Sequence, residues 1–188
     1  MSKSNFHQTV ELVSDELKKA LHSINEEEVE RLIAEINSAN QVFFVGVGRV
    51  LLSLQSITKR LAHLGINAHY VGEITEPAIT EKDLLIVASG SGNTLFPVEI
   101  AKKAKTLGAK VVHIGSNPNG ELKNIADFML RIPVQTKLYL PDEIPSIQPM
   151  TSLFEQTLLI LGDIMAKIII EQKQLDMKTL WKYHANLE

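Results

Sequence analysis

Ser89-Gly90-Ser91-Gly92-Asn93-Thr94 has the residue types and spacing of an anion-binding turn. Its glycines let backbone N–H groups approach an anion with no Cβ in the way. Ser89, Ser91 and Thr94 add hydroxyl donors, and Asn93 adds an amide. The apolar run before the turn, Leu84 to Ala88, reads as a strand, and residues 95–107 after it read as a helix. The helix N-terminus then points its dipole at the same spot. No Lys or Arg lies in the turn, so neutral donors do most of the holding. That suits a phosphate monoester on a small metabolite better than a triphosphate. Ser, Gly and Asn are also ordinary residues of a strand-to-helix connection, so the turn needs a second feature to stand as a site.

Gly46-Val47-Gly48-Arg49-Val50 is that feature, and it follows the apolar run Val42 to Val45. It lacks the third glycine of a dinucleotide fingerprint, because Leu51 stands there, which argues against a nucleotide-dependent enzyme of Rossmann type. Arg49 is either a plain surface charge or the cation that the hydroxyl turn lacks.

The elements that must position these turns alternate along the chain. Short apolar strands are expected at 42–45, 67–71, 84–88, 110–114 and 128–131, with helices at 51–64 and 95–107 and a short one at 121–125. Gly108 closes the 95–107 helix as a C′ glycine. Fully apolar strands between helices indicate a parallel sheet covered on both faces. The expected architecture is an α/β fold of three layers, a doubly wound five-stranded sheet in the common order 2-1-3-4-5. Strands one and three are then neighbours, and both glycine turns open into the crevice at their carboxyl ends.

Before the sheet, residues 1–40 read as a helical extension, with Asn25 capping a second helix that begins Glu26-Glu27-Glu28. Residues 132–149 hold Pro133, Pro141, Pro145 and Pro149 without a period, and so long a loop in a compact domain is usually functional. Thr151 to Ile170 reads as a long helix, apolar nearly all round, for which a subunit interface is one burial partner. Residues 174–188 read as a C-terminal helix and a docking tail. The whole of 1–188 is one domain.

Composition removes several classes. Net charge is −3 and aromatics are 5%, poor provision for holding or stacking nucleic acid. There is no cysteine, hence no disulfide framework, thiolate metal site or cysteine nucleophile. His7, His22, His69 and His113 share no ligand spacing with an acid cluster, so no metal site is expected. Leu158 to Ile170 is broken by Asp163 and Lys167 and is too short to span a bilayer. Met1 to Asn5 lacks the apolar core of a signal peptide, so a cytoplasmic protein is expected.

Five segments together carry a family likeness: Gly46-Val47-Gly48-Arg49; Arg60-Leu61-Ala62-His63-Leu64-Gly65; Ser89 to Thr94; Pro149-Met150-Thr151-Ser152-Leu153-Phe154-Glu155; and the terminal His184-Ala185-Asn186-Leu187-Glu188. The chain resembles sugar isomerase (SIS) domain proteins, and more narrowly the 6-phospho-3-hexuloisomerases of the ribulose monophosphate pathway. The resemblance implies interconversion of 3-hexulose 6-phosphate and fructose 6-phosphate, without cofactor, in a homotetramer. It maps the phosphate turn onto Ser89, Ser91 and Thr94 and the base onto Glu155. Val50 stands where the family pattern has a serine. Such chemistry passes through an enediol, and one carboxylate can move the proton between the two carbons. Glu155, in the first turn of the long helix, is either that base or a plain match to the helix dipole. His63 and His184 are the histidines with motif context to serve the enediol oxygens, with His184 set to dock over a neighbouring subunit's pocket. Arabinose 5-phosphate isomerase is the nearest rival, since its substrate carries the same phosphate. A non-catalytic phosphosugar sensor is disfavoured, because the acidic first forty residues make a poor DNA-binding partner.

Overall fold

The computed structural model describes residues 5–187. Met1 to Ser4 of the N-terminal segment and Glu188 of the terminal motif lie outside them. The chain runs α1 (Phe6–His22), α2 (Glu26–Ser38), β1 (Val42–Val45), α3 (Gly48–Ala62), β2 (Ala68–Tyr70), β3 (Leu84–Ala88), α4 (Leu95–Thr106), β4 (Lys110–Gly115), a 3-10 turn (Glu121–Asn124), β5 (Phe128–Arg131), α5 (Ser152–Gln172) and a last 3-10 turn (Thr179–Tyr183).

The five strands form one parallel sheet in the order β2-β1-β3-β4-β5. The expected α/β fold and strand order are therefore what the chain adopts. Burial explains the strand composition. Every residue of β1 and β3 is buried, which only a sheet covered on both faces can provide. On one face Phe44, Ile86, Val112 and Ile114 pack with α2, α3 and α5 through Leu32, Leu54, Phe154 and Leu158. On the other, Phe43, Val45, Leu85, Val87 and Val111 pack with α4 through Val98 and Ala101.

Local signals place most element ends. Asn25 caps α2 by accepting from the N–H of Glu27 at 2.9 Å. Gly108, at φ +84°, follows the end of α4 in the left-handed conformation. Helix α3 starts three residues earlier than the apolar period indicates, at Gly48 instead of Leu51. The tail of 174–188 contains a 3-10 turn and no α-helix among its described residues.

Helix α5 is the long apolar helix expected over 151–170. Its apolar surface is covered largely within the chain, as α3 packs beside it so closely that a Cβ at Gly162 would lie 2.3 Å from Ile57. Leu153, Phe154, Leu158, Leu161, Met165 and Ile169 are all buried by α1, α2, α3 and the sheet. Leu159, Ile160 and Ile168 stay half-buried and Ile164 is 40% exposed, so one stripe of the helix remains partly open.

Candidate active site

Strands β1 and β3 end side by side, pairing Val45 with Val87. The two glycine turns that follow them share one wall of a cleft of about 360 Å³. Val47, Gly48, Arg49 and Val50 come from the first, and Ser89, Gly90, Ser91 and Thr94 from the second. The other wall is Thr136 and Lys137 from the 132–149 loop and Thr151, Phe154 and Glu155 from the start of α5.

The hydroxyls of the second turn face one another. Ser89 Oγ and Thr94 Oγ1 are 2.8 Å apart, and the N–H of Gly92 donates to Ser89 Oγ at 3.2 Å. Ser91 Oγ accepts from the N–H of Asn93 at 3.3 Å. Ser89 and Ser91 are 3% and 7% exposed, so an anion here meets polar hydrogen in a nearly dry setting. Thr94 is the N-cap of α4 but makes no side-chain bond to the helix amides. Its hydroxyl and that helix end both remain on the cleft side.

Glu155 is buried, 7% exposed. Its carboxylate does not cap the first turn of α5. One oxygen pairs with Nε of Arg49, and the other accepts from Thr151 Oγ1 at 2.8 Å. Ser53 Oγ on α3 donates to the backbone carbonyl of Glu155 at 3.0 Å, tying the two helices at this point. The base expected from the resemblance and the cation expected from the first glycine turn are therefore in contact, although 106 residues apart in sequence. The Arg49 side chain is 66% exposed against 9% for Glu155, so the pair is a sealed acid met by a cation open to the cleft.

Four candidate residues lie elsewhere. Gly46 does not line the cleft. A Cβ there would fall 2.9 Å from Leu54 Cδ1 and 3.1 Å from Val50 Cγ1, so its lack of a side chain lets α3 pack against the end of β1. Asn93 is turned outward, its Oδ1 accepting from the N–H of Glu121 at 2.7 Å to cap the 3-10 turn. His63 and His184 stack on each other, centroids 5.1 Å apart, in a separate groove with Trp181, Leu180 and Ile170. His63 follows the end of α3, while Gly48 begins it. At 1.5 Å rise per residue the two ends are roughly 20 Å apart, so neither histidine reaches Glu155 of its own chain. Burial, then Lys59, Arg60 and His184, push the pKa of His63 down.

Sequence reasoning missed the residues of the 132–149 loop, although it marked the segment. Thr136 and Lys137 enter the cleft because a buried carboxylate, Glu143, folds the loop around itself. Glu143 accepts from Ser116 Oγ (2.9 Å), Thr136 Oγ1 (2.8 Å), the N–H of Thr136 (3.1 Å) and the N–H of Leu140 (2.9 Å). From the α1 side Glu16 accepts from Ser146 Oγ at 2.7 Å, the N–H of Ile147 at 2.6 Å and Gln148 Nε2 at 3.1 Å. Gln156 Nε2 then donates to Gln148 Oε1 at 2.8 Å, which ties the loop to α5. Met150, just before the α5 cap, sits at φ +56° and is 88% exposed, a strained position at the cleft's approach. Among the described residues no three His, Asp or Glu side chains gather as a metal site. Likewise no helix among them is long and apolar enough to cross a membrane.

Known proteins match this chain over nearly its whole length. Residues 35–162 match the SIS domain family. A Bacillus subtilis (strain 168) protein named 3-hexulose-6-phosphate isomerase is 41% identical over 176 residues, covering 94% of this chain and 95% of its own. A protein of the same name from Mycobacterium gastri is 37% identical, covering 94% and 88%. A Methanococcus jannaschii crystal structure, described as inferring a molecular function of 3-hexulose-6-phosphate isomerase, superposes with a TM-score of 0.82 at 32% identity, covering 96% and 99%. A protein with both glycine turns on one cleft and these relatives belongs to the SIS domain family, within the group named 3-hexulose-6-phosphate isomerase.

Proposed function

We propose that the protein interconverts 3-hexulose 6-phosphate and fructose 6-phosphate, with Glu155 as the base. The observation that carries this reading is the placement of one buried carboxylate across a single cleft from a turn of buried hydroxyls. The sugar's phosphate takes the Ser89, Ser91 and Thr94 hydroxyls and the start of α4. Lys137 and Arg49 supply the positive charge that the turn lacks. The carbon chain then runs toward α5.

In the forward direction Glu155 removes the proton from C2 of the 3-ketose. Electrons of the broken C–H bond form the C2–C3 double bond, and the C3 carbonyl oxygen becomes enediolate. Return of the proton from Glu155 to C3, with the O2 proton passing to O3, leaves the carbonyl on C2 and a hydroxyl on C3. Arg49 lies against the carboxylate and beside the cleft, where it stabilises negative charge on the enediolate oxygens. Thr151 fixes the rotamer of the acid. None of these steps asks for a metal or a redox cofactor, and we assign none. Val50 lines the cleft where the related pattern has a serine, so this chain offers carbon there in place of a hydroxyl donor.

The protein acts in the cytoplasm as a homotetramer on this reading. Since His63 and His184 sit far from Glu155 of their own chain, any part they take in the reaction belongs to a neighbouring subunit's cleft. Light scattering of the purified protein tests the assembly, and a dimer or monomer contradicts the tetramer.

Purified protein supplied with 3-hexulose 6-phosphate should form fructose 6-phosphate, read by a coupled reductase assay. It should do so equally after EDTA treatment. Turnover of arabinose 5-phosphate with none of 3-hexulose 6-phosphate would replace this substrate by its rival.

A further inference from the structure

The hydroxyl turn is held from beneath by a second segment that does not line the cleft. Every backbone carbonyl from Ser89 to Gly92 accepts a hydrogen bond from the segment running from β4 into the 3-10 turn. Ser89 O accepts from His113 Nε2 at 2.9 Å. Gly90 O accepts from the N–H of Ser116 and of Asn117, both at 3.0 Å. Ser91 O accepts from Asn117 Nδ2 at 2.9 Å, and Gly92 O from the N–H of Leu122 at 3.1 Å. Across a trans peptide the C=O of one residue and the N–H of the next point in opposite directions. With the carbonyls of Ser89 and Gly90 fixed downward, the N–H groups of Gly90 and Ser91 point up, to the side where both residues line the cleft. The concavity of N–H groups so formed suits an anion.

The fit beneath the turn is close. A Cβ on Gly115 would lie 2.3 Å from His113 Nε2 and 2.5 Å from Ser89 O, so only glycine lets the ring reach that carbonyl. A Cβ on Gly120 would lie 2.6 Å from Ser91 O. His113 is 2% exposed and Asn117 7%. The partner of the His113 ring is a carbonyl, which can only accept, so Nε2 carries the proton. Asn117 is fixed in turn, its Oδ1 accepting from the N–H of Asn119 at 3.0 Å.

We infer that His113 and Asn117 are positioning residues for the phosphate turn, which turn its carbonyls away from the cleft so that it presents only donors to a phosphate dianion. Without them the Ser91 carbonyl loses its partner and that of Ser89 keeps only the turn bond from the N–H of Gly92 at 3.1 Å, and the loop can rotate a peptide to bring an oxygen toward the anion. The inference rests on the reading that this turn takes the substrate's phosphate. Burial lowers the pKa of His113, against the hydrogen bond from its ring to Ser89, which agrees with a neutral ring donating through Nε2.

The experiment compares His113→Leu, which removes the donor, with His113→Gln, whose amide nitrogen stands where Nε2 stood. Titration calorimetry with inorganic phosphate and steady-state kinetics with 3-hexulose 6-phosphate are run on both. His113→Leu should raise the Kd for phosphate and the KM for the sugar about tenfold, the worth of one hydrogen bond. Its kcat at saturation should stay close to wild type, and His113→Gln should restore most of the affinity. Asn117→Ala should show the same split, and it carries the test if the leucine variant does not fold. Unchanged affinity in folded His113→Leu or Asn117→Ala overturns the inference, as does a His113→Gln no better than the leucine variant. If wild type itself binds neither phosphate nor sugar phosphate, the reading of the turn falls, and the inference with it.

Discussion

The two walls of the cleft are built on different principles. The wall of glycine turns grows directly out of the sheet. β1 and β3 lie side by side, their ends are fixed by parallel pairing, and the turns that follow have little freedom in where they go. The wall of 132–151 has no such frame. It is shaped by two carboxylates from within and outside the loop, Glu143 and Glu16, each accepting several hydrogen bonds. The first wall offers a fixed array of neutral donors in its second turn, which suits a phosphate, and one cation, Arg49. The second presents Lys137 and Glu155, the latter paired with Arg49 of the first wall. A rigid anchor faces a wall whose geometry depends on a few long-range polar contacts.

The comparison can be broken most severely at Glu143. Glu143→Leu leaves the hydroxyls of Ser116 and Thr136 and the N–H groups of Thr136 and Leu140 without their acceptor. Hydrogen bonds to a charged group are worth about 1.5–3 kcal/mol each, so loss of this set should cost at least about 3 kcal/mol in denaturant unfolding. A stability near wild type would mean that the loop is held by other contacts.

Ser89→Ala tests the opposite wall. It should leave stability almost unchanged but raise KM for the sugar phosphate about 10- to 100-fold, the range expected for one bond to a charged phosphate. An unaltered KM would remove the turn from the binding site. Smaller again, Lys137→Ala should raise KM by a few-fold, and the difference from wild type should shrink as salt is added, since this lysine is exposed. A salt-independent effect would show that Lys137 acts through packing.

Glu16 sharpens the comparison with pH. Burial alone raises its pKa, but bonds from Ile147, Ser146 and Gln148 outweigh that and hold it below the ordinary carboxylate value. The folded state therefore binds its proton less readily than the unfolded chain. The resulting stability is complete above the ordinary carboxylate pKa and is lost as pH falls through the lowered value. Wild type should melt higher than Glu16→Gln at pH 7, and the gap should close in acid below the ordinary carboxylate range. A gap independent of pH would assign the effect to shape and not to charge.

These two walls were also unequally legible in the sequence. Strand positions follow from short apolar runs whose residues are buried on both faces, and the ends of β1, β3 and β5 agree to the residue. The turns then follow as a pair, because the strand order brings both to one crevice, although Ser and Gly are also ordinary turn residues. What periodicity cannot show is a contact between residues 106 apart, such as that of Arg49 with Glu155. Nor can it tell a glycine that binds from one that packs, as Gly46 does under Leu54 and Val50. Asn93 has the type of a ligand but spends its side chain on Glu121, a choice set by the neighbouring 3-10 turn. Lys137 and Thr136 lay in a stretch with no period, where the deciding signal was a single acid, Glu143, that is polar and yet buried.

The central claim is that Glu155 moves the proton. The direct measurement is turnover of 3-hexulose 6-phosphate by Glu155→Gln beside wild type, with sugar-phosphate binding followed by calorimetry. The amide keeps the shape and the bond from Thr151 but cannot accept a proton. Loss of a general base costs about 10²–10⁴-fold in rate, so kcat should fall by that factor while binding persists. A Glu155→Gln enzyme with near-normal kcat would contradict the account and place the base elsewhere.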